Sequence, residues 1–573
     1  MADLVIRGGT VVDGTGAPSR TADVVIDGDR IVEVSDGHYG GSAKEEVDAD
    51  GLLVTPGFVD IHTHYDGQVT WDPLLSPTCW HGVTTVIMGN CGVGFAPVAP
   101  DRHEWLIQLM EGVEDIPGAA LSAGIKWGWE TFPEYMDAVD AVPKLLDVGT
   151  QIPHGAVRAY VMGDRGANNE PATPVDIEQM SAIVEEAIRA GALGFSTSRT
   201  IMHMAANGEP VPGTFAANDE MFGIGDALTR AGAGVFEMAP AGALGEDSMA
   251  ADREMAFMRE LGMRCGRPIS FGLTQNATDP DEWRKMLDLA EAARHDGAMI
   301  WPQVHGRTVS LLLGLATVHP FAFCPSWSEI ALLDTVAEQA AVLRRPEVRE
   351  RMLAEMNAAD IGFLTFMKPS RIFALDDIPD YEPDPSQSFE NRAAALGIDG
   401  WTLLYDTIAA GDGTELVNSP ILNYVGGNMD PTFEMLSSPV SVFGLGDGGA
   451  HAGQTCDGST TTSMLTYWAR DRTRGPRLSV EHAVAKMTSA TAALYGLGDR
   501  GRLAPGMMAD VNLIDFDGLT LHKPTVAWDL PADARRLIQR ADGYVSTFKS
   551  GVEIMSNGEH TGALPGQLLR GAR

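Results

Sequence analysis

The sequence predicts an α/β protein: a TIM-like (β/α)8 barrel with a small β-sandwich domain formed by both chain termini. Three observations predict it. Eight continuous apolar runs alternate with helical patterns through the middle of the chain. Short β-branched runs separated by turn signals fill the N-terminal stretch, and similar runs return near the other end. The length of 573 residues suits one large barrel with an attached domain.

At the N-terminus, Leu4–Arg7, Thr10–Asp13, Ala22–Ile26 and Arg30–Ser35 read as strands. The turns between them are Gly8-Gly9, Gly14-Thr15-Gly16 and Gly28-Asp29. Ala509–Phe516 and Ala532–Lys549 supply the C-terminal share. The expected barrel strands are Phe58–His64, Thr84–Cys91, Ala156–Gly163, Ala192–Ser198, Gly234–Pro240, Pro268–Gln275, Met299–Gly306 and Val440–Gly446. Apolar strands alternating with helices indicate a parallel sheet buried on both faces, with chemistry at the C-terminal strand ends. One connecting helix is expected over Pro174–Arg189, opened by Thr173-Pro174, with Ile177, Met180, Ile183, Val184 and Ile188 at helical spacing. The last two strands stand too far apart, so 307–439 reads as an insertion on the active-site face, helical over 328–357 and loop over 376–388. The domain division is therefore 1–56 and 496–573 for the β-domain and 57–495 for the barrel.

Composition narrows the function. The chain has 41 basic and 78 acidic residues and a formal charge of −37. That surplus repels phosphate backbones and anionic lipid, which argues against nucleic-acid and membrane partners. No apolar run approaches the ~20 residues of a membrane span. Cys79, Cys91, Cys265, Cys324 and Cys456 are too few and too scattered for a disulfide framework, and no secretory signal precedes them. A cytoplasmic location is expected.

The first barrel strand ends in Gly57-Phe-Val-Asp-Ile-His62-Thr-His64. Residues i and i+2 of a strand project from one face. Two imidazoles there are placed to bind an ion of the Zn²⁺ class, or to share a polar pocket. The eighth strand ends in Phe443-Gly-Leu-Gly446-Asp447, followed by Gly-Gly-Ala-His451. Asp447 is a candidate ligand and general base, or a turn residue. The second strand ends in Met88-Gly-Asn-Cys91-Gly, where a thiolate would be a soft ligand and a thiol an inert buried group.

Taken together the residues resemble the amidohydrolase superfamily, and within it the D-aminoacylase (N-acyl-D-amino-acid deacylase)-like group. The resemblance runs from Asp3-Leu-Val-Ile-Arg-Gly-Gly-Thr-Val-Val-Asp-Gly-Thr-Gly through Val54-Thr-Pro-Gly-Phe-Val-Asp-Ile-His-Thr-His and His81-Gly-Val-Thr-Thr-Val-Ile-Met-Gly-Asn-Cys-Gly. It continues in Gly191-Ala-Leu-Gly-Phe-Ser-Thr and Asp499-Arg-Gly-Arg-Leu-Ala-Pro-Gly-Met-Met-Ala-Asp-Val-Asn-Leu-Ile-Asp. It implies a metal-dependent hydrolase of a non-peptide C–N bond, using one or two Zn²⁺-class ions on a small amide substrate, and suggests a homo-oligomer. By motif match, His62, His64 and Cys91 would be ligands, and Asp447 both ligand and base.

Two positions depart from that pattern. The family usually places a His at the end of strand five and another at the end of strand six; here Glu237 and Leu273 stand there. Glu can ligate and Leu cannot. Either one ion sits on His62, His64 and Asp447, or another His substitutes. His305 after strand seven and His451 after strand eight are candidates, either as ligands or as substrate-binding groups that stabilise the oxyanion, and His203 beyond strand four is a weaker one. For an anionic N-acyl-amino acid, Arg199 and Arg307 are the expected cationic contacts. Trp301, Trp327 and Phe321–Phe323 would give an aromatic wall. A cyclic amide, a carbamate, an ester-like bond or a non-catalytic ligand are the other readings.

Overall fold

The computed structural model describes residues 1–359 and 365–571. Eight parallel strands make the barrel sheet: β1 (Phe58–Asp60), β2 (Val83–Met88), β3 (Asp147–Pro153), β4 (Gly194–Ser198), β5 (Val235–Ala239), β6 (Ile269–Leu273), β7 (Ile300–Val304) and β8 (Val442–Phe443). They pair in sequence order from β1 to β8. Just beyond the outer two strands, a parallel bridge from Thr63 to Gly448 closes the mouth. His64 N donates to Gly448 O at 2.8 Å, and Asp447 N donates to His62 O at 2.9 Å. The closing contacts are therefore made by the two segments expected to carry the chemistry.

The connecting helix after β3 spans Pro174–Ala190. Thr173 and Asp176 form a reciprocal capping box, Pro174 opens the first turn, and Gly191 ends it at φ 117°. These are the signals legible in the sequence.

The third strand is a correction. Ala156–Gly163, expected as β3, lies mostly in a helix over His154–Met162. A short buried apolar run has the same composition in a helix as in a strand, and periodicity alone does not separate them. The true strand, Asp147–Pro153, is rich in polar residues that find partners remote in sequence. Gln151 Nε2 donates to Asn90 Oδ1 at 2.8 Å. Asp147 takes Arg500 at 2.6 Å and Lys549 at 3.0 Å.

Both chain ends meet in one mixed sheet of nine strands. Val511–Ile514 pairs antiparallel with Leu53–Pro56, and Leu53 and Val54 pair in turn with the end of Ala2–Val11. The cluster of Asp147, Asp510, Arg500 and Lys549 ties this sheet to the N-terminal end of β3. The Lys549 side chain is fully buried there. Removing one partner of a buried ion pair leaves an uncompensated charge. Lys549→Met is expected to lower the unfolding free energy by about 3–5 kcal/mol, read from denaturant titration. A change below about 1 kcal/mol, the surface-pair range, would show that the cluster does not tie the sheet to the barrel.

The insertion has its own core. A three-stranded antiparallel sheet (Val309–Leu313, Val417–Leu422, Phe373–Ala374) packs with helices Val336–Leu343, Pro346–Ala358, Phe389–Leu396 and Gly400–Ile408. Leu313, Phe321, Met352, Leu404 and Tyr405 fill that core. Phe321 is thereby committed to packing inside the insertion. Residues 376–388 are mostly irregular, as expected. No described helix is long and apolar enough to cross a membrane.

Candidate metal centre

Beyond β1 the chain runs into the barrel mouth and carries His62 and His64 there, both almost fully buried. Asp60 Oδ1 accepts from His62 N at 3.1 Å and fixes the strand end. The tautomer of His62 is set by a relay. Ser270 Oγ donates to Trp301 O at 3.1 Å, so it accepts from Gln303 Nε2 at 2.9 Å. Gln303 must then present Oε1, 2.9 Å from His62 Nδ1. That nitrogen carries the proton, and Nε2 is left with its lone pair. His62 Nε2 lies 3.3 Å from Cys91 Sγ and 3.3 Å from Asp447 Oδ1. His64 Nε2 lies 3.6 Å from the same carboxylate oxygen.

The donor atoms of His62, His64 and Cys91 all lie within 4.8 Å of one another. Nitrogen, thiol sulfur and carboxylate oxygen in a buried cluster form a zinc-class donor set. Orphaned atoms point the same way. Both ring nitrogens of His64, Glu114 Oε1 and Glu237 Oε1 are buried without a hydrogen-bond partner. Such groups cost stability unless something satisfies them. The residues present therefore fit a divalent ion.

Backbone strain gathers at this mouth. Cys91 (φ 54°), Leu445 (φ 57°), Asp447 (φ 45°) and His451 (φ 49°) all sit in the left-handed region that non-glycine residues avoid. Gly89, at φ 81°, makes the turn into Cys91; a Cβ there would stand 2.2 Å from the Gln151 carbonyl oxygen. The glycines around Cys91 and Asp447 let these strained turns close on the neighbouring strands.

Electrostatics describe a site short of positive charge. Burial alone would raise the Asp447 carboxyl, but the imidazoles of His64, His62 and His451 hold it well below the usual carboxylate range. Burial pushes Cys91 and Glu114 well above their ordinary values, and neighbouring carboxylates add to this. Burial lifts Glu237 to about 8 and lowers His62 to about 4. These acids crowd together, and among the described residues that line the cavity there is no arginine or lysine. A divalent cation supplies the charge that would let them ionise.

One cavity of about 280 Å³ brings together His62, His64, Cys91, Glu237, Asp447, His451 and the weaker candidate His203. Glu237 Oε2 accepts from Cys91 N at 3.1 Å and so braces the Cys91 turn. Leu273 is buried. His203 Nδ1 is held by Ser198 Oγ at 3.0 Å.

Three expected residues lie elsewhere, each for a stated reason. His305 is buried with Nδ1 2.8 Å from the Arg307 carbonyl oxygen and Nε2 3.6 Å from Asp457. Arg307 is buried and bound to Asp457 at 2.9 Å and the Cys456 carbonyl at 2.7 Å. Arg199 is paired with Glu254 at 2.8 Å. None of the three lines the cavity. The expected aromatic wall is also absent from the described lining.

Sequence reasoning missed Glu114 and Gln303. Glu114 ends the helix His103–Glu114 and lies between His64 Nδ1 at 3.4 Å and His451 Nε2 at 3.7 Å. No motif surrounds it. Gln303 did carry a signal: it stands two residues before His305 and so shares that residue's strand face. Partners that orient a ligating His typically change metal affinity 10–100-fold. Gln303→Leu is accordingly expected to weaken zinc binding by about 10–100-fold, measured by titration against a metal buffer. Unchanged affinity would show that the relay does not set the His62 tautomer.

A barrel with a candidate metal cluster at its C-terminal mouth defines a metal-dependent hydrolase class, and comparison places the chain within it. The amidohydrolase family pattern matches residues 45–554. The chain belongs to the amidohydrolase family. D-aminoacylase of Alcaligenes xylosoxydans xylosoxydans is 27% identical, the match covering 99% of this chain and 97% of that one. N-acyl-D-aspartate deacylase of the same organism is 26% identical, over 99% and 95%. In fold, the chain is similar to a crystal structure of D-aminoacylase, with a TM-score of 0.66, 23% identity and full coverage of both chains. It is also similar to N-acyl-D-glutamate deacylase from Bordetella bronchiseptica, a structure complexed with zinc and a phosphonate inhibitor, with a TM-score of 0.65, 22% identity and 99% coverage of each.

Proposed function

We propose that this protein hydrolyses the C–N bond of a small amide, of the N-acyl-amino-acid kind or a near relative, with a zinc-class ion held by His62, His64, Cys91 and Asp447. One observation carries the reading: the ligand atoms of buried His62, His64 and Cys91 lie within 4.8 Å of one another at the barrel mouth, and Asp447 Oδ1 stands 3.3 Å and 3.6 Å from the two histidine Nε2 atoms. When bound, such an ion polarises a carbonyl and lowers the pKa of water. The chain's own residues do the rest. Asp447 takes the proton of the attacking water and returns it to the leaving nitrogen. Gln303 holds His62 in the tautomer that leaves Nε2 free, and Glu114 stands 3.4 Å from His64 Nδ1 without a hydrogen bond to it. His451 and His203 line the same cavity and are the candidates to donate to the oxyanion. Glu237 braces the Cys91 turn through Oε2 and keeps Oε1 buried in the same cavity without a hydrogen-bond partner. The domain division at 56/57 and 495/496 belongs to the same reading, with 307–439 as the wall over the mouth. So does a cytoplasmic location, which the five free cysteines favour.

The test is a hydrolysis screen of N-acyl-D-amino acids, their L enantiomers and simple amides, on protein stripped of metal and reloaded with zinc. Zinc-dependent release of free amine is the expected result. No release from any of them by zinc-loaded protein would overturn the reading.

A further inference from the structure

We propose that the amide taken by this pocket is uncharged and has an apolar half, rather than one bearing a free carboxylate. The inference rests on the amide-hydrolase reading above and narrows it. Among the described residues that line the cavity there is no arginine and no lysine, while Glu114, Glu237, Asp447 and Asp457 all contribute to the wall.

The two arginines that follow the strand ends are not in reserve. Arg199 grips Glu254 through Nε at 2.8 Å and Nη2 at 3.3 Å, gives Nη1 to the Ala216 carbonyl at 3.2 Å, and lies over the Phe257 ring at 5.0 Å. Arg307 spends both terminal nitrogens on Asp457, Cys456 O, Ser459 and Gln539, and lies over the Tyr381 ring at 4.0 Å. Turning either into the cavity would take from a buried carboxylate its shortest ion pair, leaving Glu254 only Arg253 at 3.5 Å or Asp457 only His305 at 3.6 Å.

With the ion taken up by its ligands and the scissile carbonyl, a substrate carboxylate entering here would be desolvated with no arginine or lysine of the described lining to meet it, among like charges, and against the field of a chain with a net charge of −37. The insertion presents the opposite chemistry. Val309 and Leu311 of one strand, and Ile421 and Leu422 of its neighbour, face the cavity together with Met238 and Leu445. Thr200 and Thr274 stand in the same wall with their hydroxyl protons given to Glu246 and the Ala243 carbonyl, so their oxygens are left to accept from an amide N–H.

A matched pair of substrates isolates the carboxylate. N-octanoyl-leucine (each enantiomer) and N-octanoyl-isoamylamine differ only by that group. On the zinc-loaded full chain, kcat/KM for the isoamylamine amide is expected to exceed that for either leucine enantiomer by at least about tenfold, a difference of 1.4 kcal/mol. Equal or faster turnover of either acid would overturn the inference. Equilibrium binding of the same compounds to the zinc-loaded Asp447→Asn protein gives a second ranking that does not depend on turnover. Tighter binding of the neutral compound supports the inference even if neither is hydrolysed, an outcome that would sink the hydrolase reading alone. Tighter or equal binding of an acid, or binding of neither, overturns it.

Discussion

Asp447→Asn is expected to lower kcat/KM by about 10²–10⁴-fold, the range for a general base, or roughly 3–5 kcal/mol of transition-state stabilisation. Asn keeps the shape of the side chain and loses the basic oxygen. The loss should fall mainly on kcat, because proton transfer is made in the transition state and not in the substrate complex. Asp447 also lies 3.3 Å from His62 Nε2 and 3.6 Å from His64 Nε2, so it is a candidate ligand as well as the base. Metal content must therefore be measured on the same sample. A variant that retains its zinc and loses rate assigns the base. A variant that retains both shows that some other group accepts the proton.

His64→Ala is expected to weaken zinc binding by more than about 100-fold, beyond the effect of losing an orienting partner, and to abolish measurable hydrolysis. The prediction is sharp because neither ring nitrogen of His64 has a hydrogen-bond partner in the protein. A histidine kept for structure would be bonded, and its loss would cost the fold. Here the substitution breaks no protein hydrogen bond. Metal-free wild type and metal-free His64→Ala should accordingly differ little in thermal midpoint, while the zinc-dependent rise in that midpoint disappears. The opposite pattern, a destabilised apo protein with normal zinc affinity, would make His64 a structural residue.

The parts of the site legible in the sequence were those whose neighbours in the chain fix their geometry. His62 and His64 share a strand face by spacing alone, and glycines announce the turns at Cys91 and Asp447. The parts not legible depend on partners far along the chain. Polar Asp147–Pro153 is a barrel strand because Arg500 and Lys549, more than 350 residues away, neutralise Asp147. Glu114 reaches the site only because a helix end packs under the loop that carries His451. Arg199 and Arg307 looked available because Glu254 and Asp457, which occupy them, are distant in sequence. Nothing local marked Gln303 in preference to His305. The fold placed its amide beside His62 and turned the His305 ring toward Arg307 and Asp457.

The central claim is that His62, His64, Cys91 and Asp447 hold a zinc-class ion that the chain needs for amide hydrolysis. Zinc titration of metal-free wild-type protein, with amine release followed at each addition, tests it most directly. Activity that rises with zinc and saturates at about one equivalent bound, and is absent from His64→Ala at the same zinc concentration, is the predicted result. Hydrolysis that is undiminished in the metal-free protein, or zinc binding that His64→Ala leaves unchanged, would contradict it.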